Sequence, residues 1–156
     1  GQYAPVEARL RAAISRAKSQ SGDGSHPDVL VLEHALGSLL AKDGRLSEAE
    51  GGFRSLVDSE AKARGSEAEQ TLVAINNLAG TVLEQERPEE AVELYRQALE
   101  GLDKALGRAH PHAVAAAANL ATALRACDRA EEADKVLAAY PEGGAAPEGP
   151  GPGEGA

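Results

Sequence analysis

The stretch INNLAGTVLEQERPEEAVELYRQA, residues 75–98, decides how the rest of the chain is read. Leu78 and Val82 stand four apart, and Ala91, Tyr95 and Ala98 follow an i, i+4, i+7 stripe. Both are the spacing of an apolar face on a helix. Arg87-Pro88 falls between the two stripes, and a proline suits the first turn of a helix, where a missing N–H costs nothing. The stretch is therefore predicted as helix, short turn, helix.

Sliding the chain against itself by 42 residues extends that reading outward. Leu36, Leu78 and Leu120 coincide, as do Arg45, Arg87 and Arg129, Glu48, Glu90 and Glu132, and Ala49, Ala91 and Ala133. Gly37, Ala79 and Ala121 align, then Leu40, Val82 and Leu124, then Phe53, Tyr95 and Leu137. Alanine and glutamate are common here and match cheaply; three arginines in register with three leucines do not. Asp43-Gly44 and Cys127-Asp128 punctuate the first and third units where Arg87-Pro88 punctuates the second. Helices are expected near 5–19, 27–42, 46–63, 67–85, 88–105, 111–126 and 129–139.

Pro27, Pro88 and Pro111 mark helix starts. Ser47 with Glu50 and Ser66 with Glu69 have capping-box spacing, and Gly65 and Gly107 are expected as left-handed caps. Gly51-Gly52 inside a helix is a weak point, costing about 1 kcal/mol per glycine against alanine. The first helix keeps the register less cleanly. It is expected as a leading cap, or as the second helix of a truncated unit, within residues 1–25. The units are then 26–67, 68–109 and 110–140, the last with a short second helix. Residues 141–156 contain no Leu, Ile, Val or aromatic side chain and are expected as a disordered tail.

Composition agrees with an all-α solenoid of three antiparallel helix-turn-helix units. Of 156 residues about a fifth are alanine, with one Phe, three Tyr and no Trp. Such a chain packs helices closely through small side chains and lacks what a β-sandwich wants. The formal charge is −9, which argues against nucleic acid or an anionic membrane as partner. No apolar run approaches the roughly 20 residues of a membrane span. One cysteine excludes an internal disulfide framework and a multi-cysteine zinc site. A soluble protein of a reducing compartment is expected, in the cytoplasm or an organelle interior. With no methionine, the sequence reads as a processed or excised piece, and any targeting segment lies outside it.

At these positions the sequence resembles the tetratricopeptide repeat (TPR) family. The second unit supplies Ile75, Leu78-Ala79, Val82, Ala91, Tyr95 and Ala98 at that family's spacing; the first supplies Leu36-Gly37, Leu40, Ala49, Phe53 and Leu56; the third, Leu120-Ala121, Leu124, Ala133, Leu137 and Tyr140. The family's usual period is about 34 residues, and the extra length here is roughly one turn per helix. The longer form, with Asn76-Asn77-Leu78-Ala79 and Leu106-Gly107-Arg108-Ala109-His110-Pro111, is similar to the kinesin light chain subclass.

The resemblance implies a non-catalytic adaptor that holds a peptide or helix of another protein on the concave face formed by the first helix of each unit. By position that face offers Val31, His34, Ser38 and Lys42; Val73, Asn76, Asn77, Gly80 and Glu84; and Ala115, Ala118, Asn119, Thr122 and Arg125. Asn77 and Asn119, one period apart, would form a ladder of amides able to hold a peptide backbone, or would bond neighbouring helices and set the stacking angle. His34, Ser38, Asn76 and Gly80 occupy positions where chaperone-binding relatives carry a basic clamp, which disfavours a terminal carboxylate as ligand. The alternative is self-assembly, as a homodimer, through Ala133, Val136, Leu137 and Tyr140, which no further repeat covers.

No enzyme motif is present: no phosphate-binding loop, no HExxH, no nucleophile elbow. No cofactor and no metal is expected. His110 and His112 could reach an ion from one loop, but no Cys or third His lies near in sequence, and His26 and His110 are expected to cap helices. Cys127 is expected as a half-buried filler.

Overall fold

The computed structural model describes residues 1–22 and 24–141. Seven helices account for nearly all of them: α1 (Ala4–Ser21), α2 (Pro27–Lys42), α3 (Leu46–Arg64), α4 (Glu69–Glu84), α5 (Pro88–Leu106), α6 (Pro111–Ala126) and α7 (Ala130–Ala138). Helix starts fall at 4, 46, 88 and 130, and at 27, 69 and 111. Each series steps by 42, so the period read from the side chains is also the period of the backbone. α1 belongs to the first series, in register with the second helices of the three units. Ile14, its one buried residue, lies one period before Leu56. Of the expected tail, 141–156, all but Pro141 lies outside the described residues.

The turns inside the hairpins share one conformation. Gly44, Glu86 and Asp128 have φ of 77°, 61° and 59°. The next residue's amide reaches back five positions, from Arg45 to Leu40 O, Arg87 to Val82 O and Arg129 to Leu124 O. This is the bonding of a Schellman-type helix end, which asks for a left-handed residue. It restarts the second helix at 46, 88 and 130. Ser47 therefore lies inside α3 and not at its cap, which is Arg45 with no side-chain bond.

The other expected capping box is also absent. α4 begins at Glu69 behind Ala68, Ser66 is left in the preceding turn, and Thr71 Oγ1 donates to Gly65 O at 2.8 Å. Gly65 and Gly107 do need glycine, with φ of 100° and 83°, but their ψ of 156° and 161° is extended and not helical. That region is open to glycine almost alone. The prolines stand at the starts of α2, α5 and α6 as anticipated, and His26 and His110 are N-caps: their Nδ1 atoms accept from Asp28 N at 3.3 Å and His112 N at 3.1 Å.

Each helix packs on the next, from α1·α2 through α6·α7, and α2 also meets α4 and α4 meets α6. Among the described residues α1, α3, α5 and α7 make no such contact with one another. First helices crowd together while second helices splay apart, so α2, α4 and α6 line the concave side. Small residues set the closeness inside the hairpins. A Cβ on Gly37 would lie 2.9 Å from the Phe53 ring, and one on Gly101 would lie 2.6 Å from Leu72. The core is aliphatic: Leu30, Leu56, Leu72, Val82, Val92, Leu102 and Leu124 are fully buried.

Long ion pairs bridge the splayed side. Arg45 of the first turn reaches Glu7 of α1 at 2.5 Å, Arg54 of α3 reaches Glu90 of α5 at 2.8 Å, and Arg96 of α5 reaches Glu132 of α7 at 2.9 Å. The last two are one period apart. Glu50 sits deepest in this network, accepting from Gln85 at 2.7 Å, Arg54 at 2.8 Å and Arg87 at 2.9 Å. The Gln85 amide, and then the two guanidiniums, bring its carboxyl down to about 2.

Candidate functional site on the concave face

Two recesses open along the concave wall. The first, about 340 Å³, is lined by Ser38 and Lys42 of α2, by Asn76, Asn77, Gly80 and Glu84 of α4, and by Asn119 of α6, with Phe53 and Tyr95 behind them. Seven of the residues proposed from sequence meet there. The second, about 310 Å³, lies nearer the helix starts and takes three more, Val31, His34 and Val73, over a floor that includes Leu30, Leu56 and Ala74. Val31 is 67% exposed, a large apolar side chain held out at the rim.

Thr122 and Arg125 are not brought into either recess. Thr122 is exposed and turns its hydroxyl back to Ala118 O at 3.1 Å, while Arg125 is held by Asp134 of α7 at 2.9 Å. Ala115 and Ala118 are exposed and leave the α6 end of the face open.

The asparagines pair differently from a simple ladder. Asn77 Nδ2 lies 2.6 Å from His34 Nε2, and Asn119 Nδ2 donates to Asn76 Oδ1 at 3.4 Å. The two bonds are repeats of each other, each joining residues 43 apart. Neighbouring first helices are staggered so that a residue faces its counterpart plus one. The edge of the His34 ring also meets Phe53, at 6.0 Å between ring centres.

This pairing uses only part of the polar capacity. Asn76 Nδ2, Asn77 Oδ1 and Asn119 Oδ1 have no protein partner among the described residues. Neither has the Tyr95 hydroxyl, whose ring is 3% exposed and whose oxygen would lie 3.2 Å from a Cβ on Gly80. Burial, and then the charge of Glu84, pushes that hydroxyl up to about 12, so it stays a donor at neutral pH. Lys42 and Glu84 are exposed at the rim and form no ion pair among the described residues.

At the far end, the face expected to stand uncovered is turned inward. Ala133 is fully buried, and Val136, Leu137 and Tyr140 are half-buried against the core. The Tyr140 hydroxyl donates to Asp103, and Arg108 lies over its ring at 5.7 Å.

A larger recess of about 470 Å³ between α1, α2 and α3, lined by Ile14, Leu36, Leu40, Gly52 and Ser55 among others, was not anticipated. It is a packing deficit: Gly52 stands one period before Leu94, which packs against the core. Burial pushes the Cys127 thiol up, consistent with a half-buried filler. No helix among the described residues is long and apolar enough to cross a membrane.

This arrangement of hairpins is matched elsewhere. The tetratricopeptide repeat profile fits residues 28–104 and again 70–139. The chain belongs to the tetratricopeptide repeat family. No curated protein matches it. Among solved structures, the nearly identical TPR-like repeats of a protein designated a kinesin light chain from Podosopora anserina are 27% identical, with TM-scores of 0.74 and 0.72 for two forms. The alignment covers 88% of this chain and 65% of that one. BtubC (BKLC) from P. vanneervenii shares the fold at 22% identity, with a TM-score of 0.76 over 94% of this chain and 60% of its own. The chain thus spans less than two thirds of each, and its repeats are TPRs of the kinesin light chain-like form. TPR repeats generally mediate protein–protein interaction, and the family is non-catalytic.

Sequence reasoning missed Tyr95 as a polar group of the groove, since its position in the TPR pattern marks it as core filler. It also missed Glu69, which stands 41 residues from His110 and beside it in space.

Proposed function

We propose that this TPR array is a non-catalytic adaptor whose concave groove binds an extended segment of a partner protein. The observation that carries the reading is the unspent hydrogen-bonding capacity around the 340 Å³ recess: Asn76, Asn77, Asn119 and the Tyr95 hydroxyl present donors and acceptors toward one open space. An extended peptide offers alternating N–H and C=O groups that pair with such a set, while the recess takes a side chain. Among the described residues Lys42 is the only cation lining it and Glu84 the only anion, so a segment bound mainly through its backbone and small apolar anchors fits better than one led by a terminal carboxylate. Assembly through α7 is the weaker reading, because Ala133 is buried and Val136, Leu137 and Tyr140 are partly buried against the core.

The test is selection of peptides from a displayed library on the full chain, followed by affinity measurement with Tyr95→Phe and Asn76→Ala. Phe53 stands one period before Tyr95, so Tyr95→Phe keeps the fold. Loss of one hydrogen bond to the ligand, about 0.5–1.5 kcal/mol, weakens binding by roughly 2- to 12-fold. Selected peptides that bind both variants as tightly as the parent would refute the groove as the site.

A further inference from the structure

Where α4 and α6 begin, three side chains with metal-binding atoms converge from two adjacent hairpins. Glu69 is the first residue of α4, His110 is the N-cap of α6, and His112 is its second residue. One donor atom from each lies within 4.8 Å of the others. His112 Nδ1 is 2.7 Å from Glu69 Oε1, and the two imidazoles meet edge to face with centres 5.1 Å apart. We propose that Glu69, His110 and His112 form a binding site for one divalent transition-metal ion of the zinc or cobalt type.

The donor set points to that class of ion. Two imidazoles and one carboxylate suit borderline first-row metals and not magnesium or calcium, which want oxygen alone. Three protein donors leave the remaining positions to water, and the exposed His112 gives that water access. Donors sharing an ion at 2.0–2.2 Å lie about 3.0–3.5 Å apart, so the cluster must tighten. His112 can supply the movement: half its side chain is in solvent, and among the described residues its side chain pairs only with Glu69 and the ring of His110.

Two features oppose the ion, and neither is fixed. His110 Nδ1 accepts the cap bond from His112 N at 3.1 Å, so ligation by His110 replaces or rearranges that bond. The positive ends of the α4 and α6 dipoles point toward the cluster, and the Glu69 carboxylate offsets them. Ligation through His112 Nδ1 needs that nitrogen's lone pair, so it replaces the contact with Glu69 and leaves the ring proton on Nε2.

The cluster occurs once in the repeat. His26 stands two periods before His110, but Asp28 takes the place of His112, and among the described residues no second such cluster forms. Because Glu69 and His112 also line the 310 Å³ recess, a bound ion would tie the second hairpin to the third at the groove's edge. The inference does not depend on a peptide ligand.

The test is titration of the full chain with cobalt(II), read from its visible absorption, with zinc(II) in competition. One equivalent is expected to bind. Affinity falls at least tenfold in His112→Ala, Glu69→Gln and His110→Asn, the last retaining a good capping side chain, and is unchanged in His26→Ala. Binding that survives His112→Ala, binding that is lost in His26→Ala, or no absorption band with cobalt in excess would each overturn the assignment.

Discussion

The same substitution, glycine to alanine, is expected to act in opposite directions at two places in this solenoid. Gly51 and Gly52 lie inside α3, are exposed, and have nothing within 4 Å of the position a Cβ would take. Alanine there gains helix propensity and costs no space, about 1 kcal/mol at each site. The double variant Gly51→Ala/Gly52→Ala is therefore expected to gain about 2 kcal/mol, which for a chain of this length raises Tm by roughly 4–8 °C. Gly101 is also inside a helix, but a Cβ there would lie 2.6 Å and 2.8 Å from the two methyls of Leu72 and 3.2 Å from its Cγ. Leu72 is itself 2% exposed, so its methyls shift only against packed neighbours. Overpacking costs about 1–3 kcal/mol, which outweighs the propensity gain and leaves Gly101→Ala destabilised by up to about 2 kcal/mol. Thermal and urea unfolding followed by far-UV circular dichroism measure both. Adding Leu72→Ala to Gly101→Ala supplies the cycle: the pair is expected to be more stable than the sum of the singles, because the new methyl fills the space the leucine vacates. Equal gains at positions 52 and 101, or additive effects in the cycle, would refute the claim that close approach of α4 and α5 requires the glycine.

Two further predictions concern the turn and the ion-pair network. Glu86 holds φ of 61° in the turn where the first unit has Gly44, so Glu86→Gly is expected to stabilise by about 1 kcal/mol by removing Cβ strain in a left-handed residue; a drop in the urea midpoint would contradict this. Glu50 titrates at about 2 in the folded chain against an ordinary value of 4.5. A depressed carboxyl contributes stability that is complete above its unfolded value and lost as pH falls toward its folded one, so the window is about pH 4.5 down to 2. Glu50→Gln is expected to be less stable at neutral pH and to lose less stability across that window, measured as urea midpoints at a series of pH values; parallel losses in both chains would show that Glu50 is not a source of the acid sensitivity.

Much of this molecule was written in local patterns. The 42-residue spacing of Leu36, Leu78 and Leu120 fixed the number of hairpins, and Pro27, Pro88 and Pro111 fixed where three helices begin, because both depend on contacts within a turn or two of the chain. The concave positions followed from the same period, since residues in register share a face. Ser47 does not cap a helix, for a reason that is also local but less visible. A left-handed residue at 44, 86 and 128 sets the restart of the second helix, and that choice overrides a serine with suitable spacing.

What only the tertiary structure decided are the partnerships between hairpins. Neighbouring first helices are offset by one residue, so His34 meets Asn77 and Asn76 meets Asn119, while the asparagines one period apart do not pair. Tyr140 is drawn back onto Asp103, turning inward a face that looked uncovered. Glu69 is brought to His110 and His112 from the preceding hairpin. Helical periodicity says which way a side chain points around its own axis; the stagger between neighbouring first helices comes from how one hairpin packs on the next. No spacing within one helix records that offset, and it is the offset that selects which polar atoms are paired and which remain for a ligand.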